Sequence, residues 1–93
     1  MKNEPVYEFR LYVAGDGPNS IRAIANLGEI CDEHLAGRYI IETVDVLVDQ
    51  ARALTDGVML TPLLVKLSPT PVRKIIGSLS ERQAVLQTIG LSV

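Results

Sequence analysis

One cysteine, one histidine, one phenylalanine and three tyrosines are little chemistry for a chain of 93 residues. Cys31 has no partner for an intramolecular disulfide, and with His34 it falls short of a zinc ligand set, so a disulfide scaffold and a structural zinc site are excluded. Positive charge is not in surplus either. Nine Lys and Arg stand against eleven Asp and Glu, a formal net charge of −2, which is the reverse of the basic footprint that phosphate neutralisation requires, so no nucleic acid partner is expected. No apolar run approaches the ~20 residues of a membrane span. Met1 to Glu8, which holds Lys2, Glu4 and Pro5, lacks the apolar core of a signal peptide. A cytoplasmic location without a membrane partner is the expectation.

What is present, 47% hydrophobic and 22% charged side chains with seven glycines and five prolines, fits a single compact domain over residues 1–93. A chain of this size buries roughly 60–65% of its unfolded surface, enough for one core and not for a second lobe that closes over a substrate. Tyr7 to Ala14 has Phe9, Leu11 and Val13 at period two and predicts a strand. A turn cluster, Gly15 to Ser20, precedes a helical pattern in which Ile21, Ile24, Leu27, Gly28, Cys31 and Leu35 share one face, ended by Ala36-Gly37. Arg38 to Val46 is β-branched and aromatic, and its distance of about thirty positions from the first strand predicts a parallel βαβ unit. Asp49 to Asp56 predicts a short helix with Ala51 and Leu54 inward, stopped by Gly57. Leu63 to Leu67 and Val72 to Ile76, joined by Ser68-Pro69-Thr70-Pro71 and followed by Gly77, predict an antiparallel hairpin. Ser80 and Gln83 form a capping box, Leu79 and Ala84 stand at staple positions, and Val85, Leu86 and Ile89 give the stripe of a last helix.

The order β-α-β-α-β-β-α resembles a thioredoxin-like α/β domain. In redox members of that fold the turn before the first helix carries Cys-x-x-Cys, because the helix N-terminus stabilises a thiolate. Here Asp16-Gly17-Pro18-Asn19 stands there, and the one thiol, Cys31, lies three turns down an apolar helical face. A core role for Cys31 is the expectation; thiol exchange through it is the enzymatic alternative. Asp16 and Asn19 read as helix caps in place of a cation cradle. Thr61-Pro62 occupies the place where this fold carries its cis-proline, and Pro18 and Pro62 read as structural residues. His34 has no Ser or Cys partner at catalytic spacing. No catalytic residue and no cofactor or metal is therefore assigned, and a binding surface remains. Its candidates are Arg22, the run through Val46, Leu47 and Val48, and the hairpin cations Lys66, Arg73 and Lys74, of which strand alternation sends Arg73 and Lys74 to opposite faces.

Several blocks run together here: Leu11-Tyr12-Val13-Ala14-Gly15, Pro18-Asn19-Ser20 with Arg22-Ala23, Asp45-Val46-Leu47, Thr61-Pro62, Lys66, and Pro71-Val72-Arg73-Lys74-Ile75-Ile76-Gly77 with Leu79-Ser80. In these the chain resembles the KaiB family of clock proteins over nearly its whole length, without a gap. The resemblance implies a non-enzymatic regulator that binds the N-terminal ring of the ATPase KaiC, helps sequester KaiA and displaces a thioredoxin-like sensor kinase. Carried over by position, the partner contacts are Arg22, Asp45, Val46, Leu47, Lys66, Arg73 and Lys74. It also implies two arrangements of one chain, a thioredoxin-like monomer and a self-associated dimer or tetramer with a rewired C-terminal half. Val48 to Gly57 departs from the family pattern, with Gly57 in place of a usual lysine, and Ser92 replaces a usual aspartate. A paralogue that serves stress adaptation outside a true oscillator is the alternative.

Overall fold

The computed structural model describes residues 4–91. Its elements follow the predicted order: β1 (Tyr7–Val13), α1 (Pro18–His34), β2 (Tyr39–Asp45), α2 (Gln50–Thr55), β3 (Leu63–Ser68), β4 (Arg73–Ile76) and α3 (Arg82–Ile89). The four strands make one sheet in the order β2-β1-β3-β4. β1 and β2 run parallel, with Arg10 opposite Glu42 and Val13 opposite Asp45. β3 is antiparallel to β1 and β4 to β3, so the hairpin predicted from the Ser68 to Pro71 connection is present.

Alternation along β1 divides the interior. Tyr7, Phe9, Leu11 and Val13 point to one face and join Ala23, Leu27, Ile30, Cys31 and Leu35 of the α1 segment and Val85, Leu86 and Ile89 of α3. Tyr12 points the other way and meets Val44 and Val65 in a smaller cluster beneath the α2 side. One face is thus covered by two helices with apolar stripes, the other by a single short helix.

Four local expectations need correction. Helix α1 begins at Pro18, whose missing N–H is no loss at a first helical position, and Gly17 as N-cap receives no side-chain hydrogen bond among the described residues. Asp16 and Asn19 therefore do not cap; Asn19 Oδ1 accepts from Arg22 and Ser20 Oγ accepts from Ala14 N. The inward stripe of α1 uses Ser20 and Ala23, while Ile21 and Ile24 are exposed, because the small Ala23, fully buried, is what lets the helix lie close on the sheet. Helix α2 turns Ala51 and Leu54 outward instead of inward. Finally, Ser80 bonds to Ser78 rather than boxing with Gln83, the N-cap of α3 is Glu81, and Ala84 is exposed and staples nothing. Gly37, Gly57 and Gly77 all take positive φ where a helix or hairpin was expected to stop.

Candidate functional site

At the carboxyl ends of β1 and β2 one carboxylate ties two loops. Asp45 Oδ1 accepts from Gly15 N at 3.1 Å and from Leu47 N at 2.9 Å. Val46 N adds a bond to Val13 O at 2.8 Å. Gly15 has φ +57, a conformation that favours glycine, and a Cβ there would stand 3.2 Å from Cδ1 of the exposed Leu47, which would have to give by a few tenths of an ångström. Pro18 opens α1 from this same end, and Arg22, exposed one turn later, rests its guanidinium on Asn19 at 3.0 Å. Thr61–Pro62 is cis, with Pro62 buried just before Leu63, which pairs with Tyr12 near the end of β1. The structure therefore brings Pro18, Arg22, Asp45, Val46, Leu47 and Pro62 to one end of the sheet.

Helix α2 continues from that end. Asp49 caps it by accepting from Arg52 N at 3.1 Å. None of its residues is buried; Leu54 is 83% exposed, and near it Met59 is 90% exposed. Val46, Ala53, Leu54, Val58 and Met59 line an open groove of about 340 Å³. The opposite flank of α2 is ionic. Arg52 forks onto Glu42 at 2.8 and 2.9 Å, and Arg10 Nε reaches Glu42 Oε1 at 2.9 Å. Tyr12 OH donates to Asp56 Oδ2 at 2.6 Å, and Arg52 Nε lies 3.5 Å from the same oxygen. The bonds from Arg52, then Arg10, hold the Glu42 carboxyl down at about 2. Sequence reading assigned no role to Arg10, Glu42 or Arg52; the register Arg10↔Glu42 was the available signal, but the third member comes from another element.

The hairpin cations lie apart from this end. Lys66 is 4% exposed: its ammonium donates to Ile89 O at 3.2 Å, at the end of α3, and stands 5.9 Å from the centre of the Tyr7 ring. Burial, with Arg73 beside it, pushes its pKa below 10.5. Its parity with Leu64, a core position, was the signal in the sequence that Lys66 points inward. Arg73, opposite Lys66, and Lys74, opposite Val65, are exposed on the edge strand β4, on opposite faces as alternation requires.

Cys31 is fully buried, and burial followed by the nearby Asp32 pushes its thiol up to about 12. At pH 7 about one molecule in 10⁵ would carry the thiolate that exchange requires. Among the described residues no group of His, Cys, Asp and Glu could hold a metal ion, and no helix is long and apolar enough to cross a membrane. Ser92 lies outside the described residues.

Comparison with known proteins bears on this geometry in two ways. The backbone is similar to chloroplastic thioredoxin z, with a TM-score of 0.77 at 16% identity over 94% of this chain and 78% of that one. It is similar also to the N-terminal domain of Synechococcus elongatus SasA, with a TM-score of 0.72 at 18% identity over 94% and 83% of the two chains. The fold is thus thioredoxin-like, as the order of elements predicted. At the level of sequence, the circadian clock oscillator protein KaiB of Trichodesmium erythraeum is 47% identical over 87 residues, 94% of this chain and 82% of that protein. KaiB of Nostoc punctiforme is 44% identical over all 93 residues, 88% of its own length. The KaiB domain model matches residues 10–91, which takes in the Asp45 knot, α2 and the hairpin, and with it the chain belongs to the KaiB family of clock proteins.

Proposed function

We propose that this protein is a regulator without a catalytic centre, a single cytoplasmic domain that docks on the N-terminal ring of a KaiC-type ATPase. The observation that carries this reading is the family match over residues 10–91, which spans every contact position from Arg22 to Lys74. The surface chemistry supports it. Leu47, Val48, Leu54, Met59 and Leu60 are exposed along the segment between β2 and β3, and an apolar grouping of this kind is what a protein interface uses. Arg22 on α1 and Arg73 and Lys74 on β4 supply charge that steers encounter and fixes register. Asp45 acts by holding Leu47 and Gly15, and Lys66 by holding the end of α3. A KaiA-like protein, a thioredoxin-like sensor kinase that competes for the ring, and self-association into a dimer or tetramer complete the reading.

The test is association with a KaiC-type ATPase, with and without nucleotide. Binding is expected, weakened at least tenfold by Arg73→Ala; no binding in any nucleotide state overturns the reading. A second reading, a paralogue acting on an ATPase outside a true oscillator, is favoured by the Val48 to Gly57 segment, whose sequence departs from the family where the groove is built. Preference for a non-clock ATPase of the same type over the clock one would select it. Thiol exchange through Cys31 is disfavoured by the inaccessible, protonated sulfur; insulin reduction at the level of the Cys31→Ser variant disposes of it.

A further inference from the structure

Helix α2 is mounted the wrong way round for folding. A short surface helix normally turns its apolar residues to the sheet and its charges to water, since six residues hold no helix unaided and packing must supply the rest. Here Arg52 and the C-capping Asp56 face the sheet, where they meet Glu42, Arg10 and Tyr12. Leu54, about 200° round the helix from Arg52, points away. The sheet beneath offers an apolar surface, Tyr12, Val44 and Val65, on which an inward Leu54 could pack. Val46, Val58, Leu63 and Leu67 pack against that surface, while the α2 side chains that reach over the sheet are those of the ion pairs.

Glu42 is the centre of the arrangement. Its two oxygens accept from Arg52 of α2 and from Arg10 of β1, so one carboxylate joins helix to sheet and separates two guanidinium groups. Without it Arg10 and Arg52 would share only Asp56, at 3.9 and 3.5 Å, and repel each other. On the outer side, the residues turned away from this cluster, Ala53 and Leu54, line the groove with Val46, Val58 and Met59.

We propose that Glu42, bridging Arg10 and Arg52, is a positioning residue that holds α2 with its apolar side outward and so keeps the docking groove presented to the partner. The inference rests on the ATPase reading for the identity of that partner, and not for the latch itself. Arg10 and Arg52 are positioning residues with it, and Leu54 is the contact they present.

The experiment compares the full chain with Glu42→Gln, Arg52→Gln, the double variant and Leu54→Ser. Three quantities are read: the global unfolding midpoint, amide exchange over residues 50–58, and affinity for the KaiC-type ATPase. Exchange at α2 is expected to rise at least tenfold in both latch variants, more in Glu42→Gln because the two arginines are left facing each other. The double variant should be no looser than Glu42→Gln alone, as for residues that act as one unit. Affinity should fall at least tenfold in all variants, while the global midpoint stays near that of the wild type, which a purely structural role would not leave in place. Arg52→Lys, which keeps the charge and loses the fork, should recover part of both effects. In Leu54→Ser, affinity falls with α2 exchange unchanged. Unaltered α2 exchange in Glu42→Gln and Arg52→Gln overturns the latch, and wild-type affinity with a loosened α2 overturns its role in docking. A wild-type chain that binds no such ATPase, yet loosens at α2 on Glu42→Gln, overturns the partner reading and supports the latch.

Discussion

The two faces of the sheet are held by different forces. Beneath α1 and α3 fourteen buried residues, among those described, form one dry cluster around Phe9 and Leu27. Beneath α2 the corresponding cluster, among the described residues, has three buried members, Tyr12, Val44 and Val65, edged by the partly buried Val46, Val58, Leu63 and Leu67 and overlaid by ion pairs. Burial of apolar area contributes most of what holds a small domain together, whereas exposed ion pairs contribute little and are screened by salt. The difference teaches where the molecule can change at low cost: the first face fixes the fold, and the second can lose its helix with the rest of the domain intact.

The sharpest way to break this comparison is to truncate on both sides. Leu27→Ala should cost about 2–5 kcal/mol of unfolding free energy, through lost transfer energy and the cavity left behind. Val65→Ala, on the thinner side, should cost about 1–2 kcal/mol. Equal losses in urea titrations would show that the faces do not differ. Next comes the junction between the two. Gly15→Ala places a side chain at φ +57 and within 3.2 Å of Leu47 Cδ1, and should cost about 1–2 kcal/mol while shifting the amide signals of Leu47 and Asp45.

Acid and alkali give the smallest and most selective contrast. Glu42 titrates near 2 in the folded chain against an ordinary 4.5, so its pairing is complete above 4.5 and is lost as pH falls through 2. Amide protection should fail over α2 in that window and persist in β1 and α1. Cys31 titrates at about 12 against an ordinary 9.0, so its contribution is complete below 9.0 and lost as pH rises through 12. Lys66, held below 10.5, acts in the opposite sense, adding stability as pH rises toward 10.5. The global midpoint of the wild type should therefore fall above pH 9, less steeply in Cys31→Ala; identical alkaline slopes would remove the buried thiol from the account.

The same contrast separates what could be read in the sequence from what could not. β1, the stripe of α3 and the hairpin follow from period and proline placement, because on the dry face local pattern and burial agree. Asp45, Val46 and Leu47 are singled out by family resemblance, and the loops that gather them are visible in the turn residues. Helix α2 is turned opposite to the expectation from its sequence, because inward apolar side chains are the folding default and nothing within Asp49 to Asp56 announces a carboxylate on another element. The stripe of α1 holds at Leu27, Cys31 and Leu35 and departs from expectation in its first turns, where Ile21 and Ile24 are outside and Ala23 determines how closely the helix approaches. Lys66 was placed with the surface cations by its charge alone, although its neighbours Leu64 and Val65 mark a central strand.

That buried lysine bears on how the chain comes into being. Domains fold as their N-terminal parts emerge during synthesis, and β1, α1 and β2 are complete before β3 appears. When β3 first lies against β1, Lys66 is opposite Phe9 on a face that α3 has not yet covered, so its ammonium keeps its water. Docking of α3 removes that water and offers Ile89 O in exchange, so the cost of taking the charge out of solvent falls on the step that adds α3 and not on the pairing of β3. The lysine thereby acts as a gauge for the helix, since α3 closes over the sheet at full advantage only in the placement that brings a backbone carbonyl to the ammonium.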